Sequence, residues 1–246
     1  FDGVVSGEID YYNKETDNLL FALPLPRSGG AATVNTNAGT LVNKGVEVVL
    51  NTRNINTENF TRNTSFNISR NDNEITALGN DNADVITGRN ILRVGENLNS
   101  FYMIEYAGVD SSNGDALYFL NTENPDGTLN KATTNNPNEA QRVVVGNPYP
   151  EWLGGLTNTI NFKNVDFTFT FQGQWGASIF NDAGRFESAN GDFYDNQTRD
   201  QLNRWQNPGD ITDVPQARLF EGNGTARSTR YLDNADFIRL RNISLG

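Results

Sequence analysis

Alternation of apolar and polar residues with a period of two dominates the chain, and it predicts strands with one apolar and one wet face. From Val165 to Trp175 the alternation has no exception. Val165, Phe167, Phe169, Phe171, Gly173 and Trp175 fall on one face, and Asp166, Thr168, Thr170, Gln172 and Gln174 on the other. Leu156–Lys163 just before it has Leu156, Ile160 and Phe162 in phase, and Lys163-Asn164 predicts a hairpin turn. The arrangement recurs earlier. Val46, Val48, Leu50 and Thr52 oppose Glu47, Val49, Asn51 and Arg53; a polar turn at Ile55–Glu58 follows; in Phe60–Arg70, Thr64, Phe66 and Ile68 oppose Asn63, Ser65, Asn67 and Ser69. Near the start, Val5, Gly7, Ile9 and Tyr11 oppose Ser6, Glu8, Asp10 and Tyr12. Asp236–Leu245 is strand-like but out of phase, because Phe237, Ile243 and Leu245 share a parity with Arg239 and Arg241; a β-bulge is expected there.

The connections are of two kinds. The turns at Ile55–Glu58 and Lys163–Asn164 are tight, whereas Asn13–Ala38, Asn71–Trp152 and Gly176–Ala235 are long and rich in Gly, Asn, Asp and Pro. Within the long ones, Phe101–Ala107 reads as a short strand, Ala116–Asn121 with the Pro125-Asp126-Gly127 turn as a small hairpin, and Thr198–Gln206 as a short helix. If six strands each cross one layer, both tight turns lie at one end and all three long loops at the other. A soluble sandwich has no reason to sort loop lengths in this way; a transmembrane β-barrel does, with strands of about 9–11 residues, short periplasmic turns and long extracellular loops. The predicted fold is therefore all-β, a part of an antiparallel transmembrane barrel. By periodicity alone, the aromatic row Phe167, Phe169, Phe171, Trp175 suits a soluble core and a lipid face equally.

Composition narrows the chemistry. The 246 residues contain no Cys and no His, which excludes zinc fingers, iron–sulfur and haem ligation, Ser-His-Asp and Cys-His nucleophiles, and disulfide scaffolds. The net charge of -11 argues against nucleic acid. Residues 71–140 carry 11 acidic and 3 basic side chains, so the acidity belongs to one loop and not to the wall. The acidic groups Asp72/Glu74, Asp81/Asp84 and Asp110/Asp115 do not match a calcium-loop pattern, and no carboxylate pair stands out for glycoside chemistry. No catalytic residue, metal site or cofactor is expected. The chain starts at Phe1 and stops at Gly246 inside an alternating pattern, so it is expected to be a piece of a longer protein.

Four stretches, in order, resemble the C-terminal barrel region of SusC/RagA-type TonB-dependent transporters of Bacteroidota outer membranes. They are Asn37–Glu47 with its Asn43-Lys44-Gly45, Tyr106–Asp110 followed by Gly114–Tyr118, Gly146–Leu156 leading into Asn161–Asp166, and Ser228–Leu232 with Phe237–Asn242. The resemblance implies that residues 1–246 belong to a single barrel domain. It implies a plugged, roughly 22-stranded barrel, with the plug, signal peptide and last strand outside this chain. It also implies multi-pass residence in the outer membrane, a SusD-like surface lipoprotein and the TonB complex as partners, and import of an oligosaccharide or peptide.

Candidate ligand contacts follow from position. Phe193, Tyr194 and Trp205 lie in the last long loop, where packing within the loop is the favoured reading, and Tyr149 and Trp152 beside a strand start, where girdle anchoring is the favoured one. Thr170, Gln172 and Gln174 are on the polar row that would line a lumen. The alternative to transport is a soluble, secreted β-sandwich that binds glycans on its loops.

Overall fold

The computed structural model describes residues 3–24, 30, 33–37, 39–79, 81–194 and 196–246. Ala38 of the first family-like stretch, and positions 25–29, 31 and 32 of the first long connection, lie outside the described residues. One six-stranded sheet organises the chain: β1 (Val5–Thr16), β2 (Gly39–Asn56), β3 (Phe60–Leu78), β4 (Trp152–Phe162), β5 (Val165–Trp175) and β6 (Phe237–Leu245). Its spatial order is its chain order and every pair is antiparallel, so it is a meander without crossovers. All three long connections leave one end of the sheet and both tight turns close the other, as loop parity requires. The first turn is shorter than expected, because β2 continues to Asn56 and β3 starts at Phe60; Thr57 closes it, its Oγ1 accepting from the Phe60 N–H at 3.1 Å. The second places Lys163 at φ 53°, a left-handed position at the hairpin tip.

Register shows what the alternation means. Across the sheet Tyr11, Val46, Arg70, Trp152 and Trp175 are successive partners, and so are Gly7, Leu50, Phe66, Leu156, Phe171 and Leu240. The second row is apolar and lies on one face. The row Glu8, Val49, Asn67, Gly155, Gln172, Arg239 lies on the other. The predicted bulge is in β6: Thr170 pairs with Asn242 and Phe171 with Leu240, leaving Arg241 as the extra residue. That one residue restores the phase. Ile238, Leu240, Ile243 and Leu245 come to a single face, at 68, 50, 62 and 74% exposure.

The apolar face has no cover among the described residues. The buried hydrophobic clusters lie at the loop end. One joins Leu41, Ile75, Leu78, Val85 and Leu92; a second Phe101, Met103, Phe180 and Tyr231; a third Ile104, Ala116, Tyr118 and Ala140. A β-sandwich would place its core on the apolar face of this sheet. Here that face is open while the loops carry the cores, which sets the sandwich reading aside.

β2 and β3 extend past the other strands and feed the first cluster, which is why they run beyond the alternating stretches. Gly45 permits this rise: a Cβ there would overlap the ring of Tyr12, which lies across the strand and donates from its hydroxyl to Asn71 Oδ1 at 2.8 Å. The predicted Phe101–Ala107 strand is two strands, Ser100–Met103 and Tyr106–Val109, in different small sheets. Ala116–Phe119 pairs with Thr133–Thr134 around the Pro125-Asp126-Gly127 turn, and the helix in the last loop is a short 3-10 segment, Arg199–Asn203. A six-residue helix, Asp182–Glu187, had no signal in the periodicity. Among the described residues no helix is long and apolar enough to cross a membrane.

Candidate ligand-contacting surfaces

The outward face carries an aromatic girdle at each end. At the loop end Trp152 pairs with Trp175, and the Arg70 guanidinium lies 5.6 Å from the Trp152 ring centroid. At the turn end Phe60 and Phe162 have centroids 6.4 Å apart. Ten residue steps separate Trp152 from Phe162; at about 3.3 Å per step and a tilt of about 40°, the girdles are about 25 Å apart, the height of an outer-membrane apolar band. Trp152 therefore sits at a membrane interface. Tyr149 is partly exposed in the loop just before it.

The polar face is wet wall. Thr170 Oγ1 lies 3.0 Å from Thr157 Oγ1 on the neighbouring strand. Gln174 donates to the Ala235 carbonyl at 3.0 Å, tying the wall to the start of β6. Gln172 accepts from Arg239 at 3.2 Å and from Arg241 at 2.8 Å. Alternation had put both arginines in the phase of Ile243 and Leu245; the bulge moves them to the wet face.

Above the sheet, the loops are held by one guanidinium. Arg230 donates to the Gly224 carbonyl and the Tyr231 hydroxyl, each at 3.0 Å, to the Ser188 carbonyl at 3.2 Å and to Asn190 Oδ1 at 3.1 Å. Tyr106, Tyr118 and Tyr231 crowd around it, and burial raises all three phenols above the ordinary value of 10.0, Tyr118 to about 12. Trp205 belongs to this interior. It is 5% exposed, its Nε1 donates to the Ser111 carbonyl at 3.1 Å, and a Cβ on Gly114 would come within 2.6 Å of its ring. No face of that indole is presented to solvent for a ligand.

Phe193 and Tyr194 lie on the surface of the same assembly. Phe193 is tilted against Phe186 with centroids 5.4 Å apart. Tyr194, 84% exposed, meets Phe220 edge-on at 4.9 Å. Phe220 holds φ 58°, a region bulky side chains avoid, so the loop pays backbone strain to present that ring. Phe186 and Phe220 were not singled out from the sequence, because neither lies in a periodic stretch.

The acidic loop is tied up locally. Arg93 reaches Asp84 at 2.7 Å and Arg218 reaches Asp115 at 2.7 Å. Asp110 accepts from the Ser112 hydroxyl and backbone N–H, which hold its carboxyl below the usual range.

Comparison with known proteins extends these observations. No family model matches the chain. TonB-dependent receptor P3 of Formosa agariphila is 35% identical over 269 residues, covering 100% of this chain and 25% of that protein. TonB-dependent receptor SusC of Bacteroides thetaiotaomicron is 30% identical, covering 100% of this chain and 24% of that protein. A solved structure of the RagAB peptide transporter superposes with a TM-score of 0.85 at 28% identity, over 100% of this chain and 27% of that one. The chain thus spans about a quarter of the length of the curated relatives it matches.

Proposed function

Because the chain is barrel wall of the SusC/RagA type of TonB-dependent receptor and lies in the bacterial outer membrane, we propose that its parent protein imports a bulky nutrient, a glycan or peptide fragment, across that membrane. The observation that carries the reading is the sheet itself. One face is apolar, uncovered and bounded by two girdles; the other is polar; and the folded loops stand at a single end. Lipid satisfies the first face, a water-filled or plugged lumen the second.

The proposed mechanism is capture and release. Loops and a SusD-like lipoprotein hold cargo above the barrel, and TonB acting on a plug outside this chain opens the path. The wall gives weak polar contacts, from Thr170, Gln172 and Gln174 among others, and does no chemistry on the cargo. Phe193 and Tyr194, with Phe186 and Phe220, form the loop surface best suited to stack on a sugar ring or an apolar side chain.

The test is uptake of labelled oligosaccharides and peptides by cells carrying the full-length protein, with and without TonB and the proposed lipoprotein. Accumulation of one cargo class that needs both is expected; growth and uptake unaffected by deletion would refute import. Tyr194→Ala in the full-length protein is expected to weaken cargo binding about tenfold, in keeping with the loss of one aromatic stacking contact.

A further inference from the structure

Two cations on the wet wall converge on one neutral oxygen. Arg241 Nη1 and Arg239 Nη2 donate to Gln172 Oε1 at 2.8 and 3.2 Å. Register puts Arg239 directly opposite Gln172, and Arg241, two residues further along the strand, faces the same way before the bulge shifts the phase at Asn242. Arg239 is also braced over the Phe237 ring at 4.7 Å. A carboxamide oxygen carries no net charge, so two like charges are held side by side without compensation.

Neither arginine is in an ion pair among the described residues. The wall's own carboxylates are too far away to serve. Glu8 lies in the same ladder row five strands away and Glu47 one row up and four strands away, so about 24 and about 19 Å at 4.8 Å per strand, beyond a Debye length. Asp166 is six residues down β5, about 20 Å away. Asp236 is nearer, but its carboxylate accepts from the Gly176 N–H at 2.7 Å and from Asn234 at 3.3 Å. Beside the pair is a hollow of about 520 Å³, lined by Asn67, Gly155, Thr157, Thr170, Gln172 and Arg241. At Gly155 the Asn67 carboxamide covers the floor, with its nitrogen 3.0 Å from where a Cβ would stand.

We propose that Arg239, Arg241 and Gln172 form a carboxylate clamp on the barrel wall. Both guanidiniums already aim at a single point, held here by Gln172 Oε1; the two oxygens of one carboxylate would take over their N–H donors, and the displaced Gln172 carboxamide, turned about its last bond, would add its amide N–H as a third. The carboxylate has two possible sources: an acidic or C-terminal end of cargo lying in the hollow, or an Asp or Glu from a segment of the parent chain packed in the lumen. The cargo source rests on the import reading; the clamp does not.

Structures of the full-length protein, alone and with saturating triglycine, test this and read occupancy without transport, so failure of import leaves the result intact. A parent-chain carboxylate within hydrogen-bond distance of both guanidiniums supports the clamp with the internal source. The triglycine carboxylate there supports the cargo source. Guanidiniums still on Gln172 in both structures, with no carboxylate in reach, would overturn the proposal. In the cargo case, Arg239→Gln/Arg241→Gln is expected to remove the preference for triglycine over its amide, about tenfold in affinity; should that variant fail to assemble, the two structures still decide.

Discussion

Arg62 donates its Nε–H to Asn158 Oδ1 at 3.1 Å on the outward face of the sheet, in the middle of an otherwise apolar surface. The Thr64 hydroxyl lies 2.8 Å from the same oxygen and 2.6 Å from Asn54 Oδ1. Asn158 is 3% exposed and four residues above the lower girdle, so the cluster sits at lipid depth with its polar atoms turned on one another. In hydrocarbon an unpaired donor has no water to fall back on. Asn158→Leu is expected to cost about 1–3 kcal/mol in the full-length barrel, by leaving the Arg62 Nε–H short of an acceptor, while the Thr64 hydroxyl keeps Asn54 Oδ1. The double change Arg62→Leu/Asn158→Leu is expected to regain most of that, because both partners go together. Urea unfolding in lipid bilayers measures both; a double variant as unstable as the single would show that the two residues do not act as a pair.

Phe169 and Thr170 are neighbours in β5 with opposite environments. Phe169 packs between Phe167, tilted to it, and Phe171, edge-on to it, with centroids 5.6 and 5.9 Å away, on the outward face, while Thr170 faces the wet side. Phe169→Arg is expected to cost about 2–4 kcal/mol near midplane and to lower the amount of assembled protein in the outer membrane. Thr170→Arg is expected to assemble normally. Quantitative immunoblots of washed outer membranes compare them, and equal losses would reverse the assignment of faces.

The bulge at Arg241 makes a sharper test of register. Deleting Arg241 removes the extra residue and leaves Ile238, Leu240, Ile243 and Leu245 on alternate positions of a regular strand, so all four stay outward without a bulge. That deletion is expected to permit assembly, and deletion of Thr170 from β5, which has no bulge and would turn Phe167 and Phe169 to the face opposite Phe171 and Trp175, to block it. Heat-modifiable migration of the folded barrel in gels reads the difference directly.

That bulge also marks where the sequence stops being readable. The six strands were legible because each alternates over many residues with one face on lipid and the other on water. The phase slip in Asp236–Leu245 was visible for the same reason, though not which residue was extra. The wet-face arginines were missed because their parity depends on that residue. Alternation fails where the environment ceases to be two-sided. Leu41, Ile75 and Leu78 are buried in a loop cluster, so β2 and β3 run further than the pattern indicated. Val85–Thr87 and Asn90–Leu92 are too short to show a period at all. For Trp205 the sequence left loop packing and ligand contact both open, because its partner Gly114 and its acceptor Ser111 lie some 90 residues earlier, a contact no local pattern contains.

The buried tyrosines give the loops a pH limit. The sequence has 8 tyrosines, and Tyr106, Tyr118 and Tyr231 are held neutral by burial. Unfolded phenols lose their protons near 10.0, while the folded Tyr118 holds its own to about 12. The stability this contributes is complete below pH 10 and is lost as pH rises from there through 12, on the order of 2 kcal/mol from Tyr118. An ultraviolet titration of the full-length protein is expected to show a late, cooperative step as these loops open. Simple titration of every tyrosine near the ordinary value would contradict the buried placement.

Arg230 is the remaining anchor. Four acceptors from separate turns of the last loop meet on its two terminal nitrogens, and Asn190, itself 1% exposed, passes the link on by donating to the Asn223 carbonyl at 2.6 Å. The planar fork matters here: lysine offers one nitrogen and cannot span acceptors on both sides. Arg230→Ala is expected to weaken the loop assembly by about 3 kcal/mol, because charge-assisted bonds are lost and buried acceptors are left unmet. Arg230→Lys is expected to recover little of it. The effect should be local, since no bond of Arg230 reaches the six-stranded sheet: hydrogen exchange is expected to quicken at residues 188–192 and 223–225 and to stay unchanged in β4 and β5. The aromatic surface rides on this assembly, because Gly222, beside Phe220, is held by Asp192 at 3.0 Å and Arg218 donates its N–H to the Asn190 carbonyl at 2.8 Å. Loosening Arg230 should therefore also lower cargo affinity without touching a cargo contact, and unchanged exchange in the loop would show that some other group holds it.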